Sequence, residues 1–194
     1  MNLLRKIKSG IKYIQFDGKL NANVPVLVYQ MGKVGSSSIY HSLKGKYPGE
    51  VIHAHEFTAD HGKWDIRKLY TYAINKKGTI KVISLVREPV SRNVSMFFHK
   101  YKRYMNAAYT DDYDINEIKN NFIENFDHDY PLHWMTDNIK TNFGIDVYDT
   151  PFPESGVQRI DKNNVELLLF RHDVKDDIKP VSYTHLTLPT IYSV

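Results

Sequence analysis

The sequence predicts an α/β fold with a central parallel sheet and helices on both faces. Three observations carry that expectation. Short β-branched runs alternate with stretches of helical spacing along the chain. Residues 24–30 form a short, apolar, β-branched run, as a buried strand does. The 194 residues are 42% hydrophobic and 25% charged, the composition of one globular domain.

The elements follow in order. Residues 24–30, Val-Pro-Val-Leu-Val-Tyr-Gln, read as the first strand, with Pro25 near its start where a missing N–H does least harm. A glycine-bearing loop occupies 31–35. Residues 36–44 then read as a helix, with Ile39 and Leu43 four apart. Residues 51–55 form a second short strand. Residues 65–76 carry Ile66, Leu69, Tyr70, Ala73 and Ile74 at helical spacing, and Gly78 ends them. Residues 79–86 are the clearest strand. Pro89 suits the first turn of a helix reaching about residue 104. Two further helices are expected over 115–126 and 132–143, the second closed by Gly144, and a strand over 165–170. Trp134 and Tyr148 are expected in the core. Phe97, Phe98, Tyr101 and Tyr104 are expected to pack as a helix face.

Composition narrows the function. Cysteine is absent, which removes a disulfide scaffold, a thiolate zinc site and a cysteine nucleophile. The formal charge of +4 suits an anionic ligand but does not support nucleic-acid binding. No apolar run reaches the roughly eighteen residues of a membrane span. The first twelve residues are basic without the apolar stretch of a secretory leader, so a cytoplasmic protein is expected. The spacing of Leu3, Leu4, Ile7 and Ile11 suits a weak membrane-surface helix or, preferentially, a docking or frayed segment.

The last fourteen residues contrast with the rest. Residues 181–194 hold no charge, and 181–190 read like one frame through a transposase-type sequencing adapter. The expectation is a single domain over 1–180, truncated at its carboxyl end, followed by an artefactual tail. A parallel sheet ending near Arg171 then leaves an open strand edge.

Two motifs fall at strand ends, where open α/β sheets bind ligands. The first is Gly32-Lys33-Val34-Gly35-Ser36-Ser37-Ser38, between a strand and a helix. Its glycines permit a tight turn and a close ligand, and the helix start offers unpaired amides and a favourable dipole. The serines add hydroxyl donors and Lys33 a full charge. Lys33 precedes the second glycine, so this is not a Walker A loop. The second motif is Arg87-Glu-Pro-Val-Ser-Arg-Asn-Val-Ser95. Arg87 leaves a strand, and Ser91 or Arg92 and Ser95 return to one helix face. A guanidinium with a serine hydroxyl suits a second phosphate.

The pair resembles the sulfotransferase family that uses 3′-phosphoadenosine 5′-phosphosulfate (PAPS). The first motif is similar to the family's 5′-phosphosulfate loop, with Gly32 where proline is usual. The second is similar to its 3′-phosphate motif, Arg-x-Pro-x-x-Arg-x-x-Ser. Later segments, His133-Trp-Met, Phe143-Gly-Ile-Asp-Val-Tyr148, Pro151-Phe-Pro153 and Val165-Glu-Leu-Leu-Leu-Phe-Arg171, resemble a bacterial branch of capsular polysaccharide synthesis proteins. The resemblance implies a P-loop-like three-layer fold and sulfuryl transfer from PAPS to a carbohydrate hydroxyl, with a glycan or polysaccharide acceptor. It implies cofactor binding by Lys33, Gly35, Ser36, Ser37, Ser38, Arg87 and Ser95, with Lys33 also stabilising the leaving phosphate.

The acceptor hydroxyl needs a base, and histidine titrates near working pH. His53 and His55 lie on one face of the second strand. Family members with a His-x-His there use the second histidine, which points to His55, with His53 behind it and Glu56 as a rival. A zinc site at His53, His55 and His61 lacks a clear fourth ligand, so no metal is expected. Two other functions remain in view: a non-catalytic anionic-glycan binding module, and a nucleotide-dependent kinase. The kinase would need a Walker A loop and an acidic Mg²⁺-binding strand end, and neither is present. The basic residues Lys100 to Arg103 read as a solvated face that could attract an acidic polysaccharide.

Overall fold

A computed structural model describes residues 3–105 and 114–173 of the chain. The tail over 181–194 and the last residues of the proposed domain lie outside them. The chain is α/β, with a five-stranded, mostly parallel open sheet flanked by helices. The strands are β1 (Val26–Tyr29), β2 (Val51–Ala54), β3 (Ile80–Val86), β4 (Val157–Lys162) and β5 (Val165–Arg171), in the order β2-β1-β3-β5-β4. All neighbours pair parallel except β4 with β5.

Why these segments are strands follows from their burial. All four residues of β1 are buried, and Ile80, Val82, Ile83 and Leu85 fill the same core from β3. Continuously apolar strands need cover on both faces. Helix α2 (Ser36–Leu43) connects β1 to β2 on one side. Helix α3 (Trp64–Tyr70), extended by a wider turn over Thr71–Asn75, returns the chain past β1 to β3. The chain reverses its direction across the sheet at β1, so right-handed crossovers put α2 and α3 on opposite faces.

The remaining helices pack beyond β3. They are α4 (Pro89–His99), α5 (Tyr101–Met105), α6 (Ile115–Asn125), α7 (Tyr130–Trp134) and α8 (Thr141–Phe143). A wider turn over Met135–Lys140 joins α7 to α8, and Gly144 closes the run at φ 68°. The helix expected to reach residue 104 breaks at Lys100. Phe97 and Tyr101 flank that break and join Ile118 and Phe126 in a second small core, while Phe98 stays 45% exposed. Trp134 is buried in the main core beside Tyr29, whose hydroxyl donates to Asn138 Oδ1 at 2.6 Å.

Two expectations change. Tyr148 is not a core residue: it is 64% exposed. Its N–H donates to Asp146 Oδ1 at 3.1 Å in a side-chain-closed turn, which buries Ile145 and Val147 and turns Tyr148 outward. The edge of β5 is not open either, because β4 pairs antiparallel along it. The sheet is therefore mixed and not purely parallel. The amino-terminal segment, for which docking or fraying is the preferred expectation, is a docked helix, α1 (Leu3–Ala22). Phe16 and Leu20 enter the core, Phe16 meets Trp64 edge-on at 5.2 Å, and Lys68 donates to the Tyr13 carbonyl and pairs with Asp17. Among the described residues, no helix is long and apolar enough to cross a membrane.

Burial sets the first expectation. Leu167 is fully buried in β5, so Leu167→Ala should cost about 2–5 kcal/mol. Tyr148→Ala should change stability by no more than about 0.5 kcal/mol. Urea midpoints of the two variants measure both, and a large loss at Tyr148 would contradict the assignment of that turn.

Candidate functional site

The four parallel strands end on the same edge of the sheet, and each delivers a polar group there. The Gly32–Lys33 loop follows β1, His55 and Glu56 follow β2, Arg87 follows β3, and His172 follows β5. These residues line one cleft of about 850 Å³. That volume lies within the roughly 300–1,000 Å³ of small-molecule sites. The loops after β1 and β3 leave neighbouring strands at the point where the chain reverses direction, the usual crevice of such sheets.

The first loop has an unusual backbone. Lys33 has φ 71° and Gly35 φ 88°, so two of three consecutive odd-numbered positions 31, 33 and 35 adopt left-handed geometry. Gly35 caps α2 in that conformation without a side-chain hydrogen bond. A Cβ at Gly35 would also stand 3.3 Å from the His172 ring, so a side chain there would be strained and would press on that ring. Val34, fully buried, anchors the loop from below. Ser37 and Ser38 line the cleft. Ser36 opens α2, and its side chain lies outside the described part of the structure.

The second motif grips the first. Arg87 Nη1 donates to the Lys33 carbonyl at 3.0 Å. Its Nε and Nη2 share Ser91 Oγ at 3.2 and 2.7 Å, which leaves one hydrogen on each terminal nitrogen for a ligand. The hydroxyl that Arg87 meets is thus Ser91. Ser95, one turn further along α4, lines the cleft without that bond. Arg92 is 3% exposed, donates through Nε to the Gly32 carbonyl at 3.1 Å, and lies over the Tyr130 ring at 4.7 Å. Its Nη1 also donates to Asn93 Oδ1 at 3.0 Å. Burial pulls the Arg92 guanidinium below its ordinary value, against the pull of Tyr130. Glu88 fixes the start of α4 by accepting from the Ser91 and Val90 amides, which hold its carboxyl below the usual range.

The histidines divide into two roles. His55 Nδ1 lies 2.8 Å from the Gln30 carbonyl. A carbonyl only accepts, so Nδ1 carries a proton, and the neutral tautomer this selects has its lone pair on Nε2. His53 is half-buried, and its ring meets that of His55 edge-on at 4.9 Å. Burial, then the neighbouring His55, then Lys63 and His41 push His53 down to about 4. His53 Nε2 is buried with no hydrogen-bond partner, which matches a permanently neutral ring. His61 turns elsewhere, accepting from the Lys63 amide at 3.0 Å. Among the described residues, no three His, Asp or Glu side chains gather as a metal cage.

The cleft therefore collects Lys33, Gly35, Ser37, Ser38, Arg87 and Ser95 beside His53, His55 and Glu56. Sequence reasoning placed Arg92 on the motif's helix face without giving it a role, and it did not reach His172. Arg92 stood in the quoted motif, but its partner is sixty positions away. His172 carried no local signal. His99, Lys100 and Arg103 also reach the cleft, so the basic segment after α4 is not only a solvated face. No protein-family model, curated protein or solved structure matches this chain.

The state of His53 links to stability. As pH falls from 6.5 towards about 4, the unfolded chain binds a proton at His53 that the folded chain refuses. Stability should therefore fall across that window, and His53→Gln should remove this part of the slope. Urea unfolding at a series of pH values tests it, and an unchanged slope in the variant would contradict the buried, neutral assignment.

Proposed function

We propose that this chain is a PAPS-dependent sulfotransferase with a P-loop-like core, acting on a carbohydrate hydroxyl. The observation that carries the reading is the double tie between the two motifs: Arg87 on the Lys33 carbonyl and Arg92 on the Gly32 carbonyl. It sets two anion-binding stations in one cleft, which suits a ligand with phosphate groups at two places. The donor set fits such a ligand chemically: Lys33, two serine hydroxyls, a helix start and a guanidinium with hydrogens to spare.

The residues divide the work. Lys33, Gly35, Ser36, Ser37 and Ser38 would hold the 5′-phosphosulfate end, and Arg87 with Ser95 the 3′-phosphate. PAPS supplies a sulfuryl group bonded to the 5′-phosphate through a bridging oxygen. His55 Nε2 takes the proton of the acceptor hydroxyl as that oxygen bonds to sulfur. The bond from sulfur to the bridging oxygen breaks, and its electron pair stays on the phosphate. Lys33, which lines the cleft, would stabilise that growing charge, an interaction stronger in the transition state than before it. The products are a sulfate ester, 3′-phosphoadenosine 5′-phosphate and a protonated His55. The Gln30 carbonyl supports this role, since it accepts from Nδ1–H and steadies the imidazolium. His53, pushed down to about 4 chiefly by burial, is a weak base. A place in capsular polysaccharide synthesis rests on the sequence resemblance alone.

Incubation with PAPS and a panel of glycans, followed by mass spectrometry of the products, tests the reaction. The expected result is a sulfated glycan formed with one equivalent of 3′-phosphoadenosine 5′-phosphate. His55→Ala should lower turnover by about a hundredfold or more with little change in donor affinity. Full turnover in His55→Ala together with loss in Glu56→Gln would transfer the base to Glu56. Donor binding without transfer to any glycan would favour a binding module.

A further inference from the structure

Helix α1 has two apolar faces, and the fold uses one of them. Phe16 and Leu20 enter the core, and Tyr13 lies against Trp64 at 5.7 Å. On the opposite side Ile11 is 49% exposed and Ile14 72% exposed. Helical spacing aligns positions 3, 4 and 7, all leucine or isoleucine, with that second side. Gly18 falls on the same line, and a Cβ there would meet nothing within 4 Å.

Charge follows the same helix. Residues 1–20 hold five basic residues, Arg5, Lys6, Lys8, Lys12 and Lys19, against one acidic residue, Asp17. That net +4 equals the formal charge of the whole chain, so the other 174 residues balance 21 basic against 21 acidic. Asp17 is neutralised by Lys68 and Lys19 pairs with Glu50 at 2.7 Å, so the excess belongs to positions 5, 6, 8 and 12. The helix is too charged to cross a bilayer.

We propose that α1 docks this protein on an anionic lipid surface. The helix lies in the interfacial plane, with the Ile11–Ile14 side against the acyl boundary and the basic residues among the headgroups. An apolar stripe edged by cations fits a uniformly negative plane. A second copy fits poorly, because pairing two such helices brings two +4 segments together. The opposite face of the helix packs on the domain through Phe16 and Leu20, and Lys68 of α3 donates to the Tyr13 carbonyl.

Flotation of the full chain with vesicles tests this. The chain should float with phosphatidylcholine vesicles containing phosphatidylglycerol, remain behind with phosphatidylcholine alone, and be released by high salt. Ile14→Asp should lower the partition coefficient at least about tenfold. The pair Lys6→Glu and Lys8→Glu should do so as well. Ile14 is exposed, so its variant should melt with the wild type. Equal flotation on neutral and anionic vesicles, or wild-type flotation by both variants, would overturn the proposal. So would a wild-type dimer in sedimentation that Ile14→Asp converts to monomer without any vesicle binding. None of these outcomes depends on the sulfotransferase reading.

Discussion

Two guanidinium-to-carbonyl hydrogen bonds hold the site in place, Arg92 to Gly32 and Arg87 to Lys33. Each crosses from the end of β3 or the body of α4 to the loop after β1. In a planar trans peptide the C=O and the following N–H point in opposite directions. Turning both carbonyls to the arginines therefore turns the Lys33 and Val34 amides away from them. The loop also holds Lys33 at φ 71°, a conformation that costs a non-glycine residue roughly 1–3 kcal/mol. Hydrogen bonds to a charged group are worth about 1.5–3 kcal/mol each, so two of them outweigh the strain. Arg92 is buried, and water does not compete for its bond.

The same loop orients the proposed base. The Gln30 carbonyl fixes the His55 tautomer, and the next two carbonyls but one fix the arginines. One short segment after β1 thus positions groups from β2, β3 and α4. This is possible because β1 lies between β2 and β3 in the sheet, so both neighbours end within reach of its loop. Moving one strand would separate the donor cradle from the base. His172, delivered by β5, lies close over Gly35, with its ring 3.3 Å from where a Cβ would stand.

Much of this was legible in the sequence, and the exceptions have physical reasons. β1, β2, β3 and β5 were readable as short, largely apolar, β-branched runs set between helical stretches. β4 was not, because it is an edge strand with Arg159, Asp161 and Lys162 on it. Its signal was the two-residue Asn163–Asn164 turn, where Asn163 takes φ 54° as a tight hairpin requires. The two motifs were visible because each is contiguous. The role of Arg92 was not, because its meaning lies in a carbonyl of another element. Tyr148 was misplaced because aromatic character alone does not say which way a turn faces. The docking of α1 was expected only as one of two outcomes beside fraying, because its lysines mask the face on which Phe16 and Leu20 bury.

The central claim is that Arg87, held between Lys33 and Ser91, reads a 3′-phosphate while the first loop reads the 5′ end. Calorimetric titration of wild type and Arg87→Ala with two ligands tests it directly. The ligands are 3′-phosphoadenosine 5′-phosphate and adenosine 5′-phosphosulfate, which lacks the 3′-phosphate. The account predicts that the substitution weakens the first by about 1.5–3 kcal/mol and leaves the second nearly unchanged. Equal losses for both ligands, or no binding of either by the wild type, would contradict it.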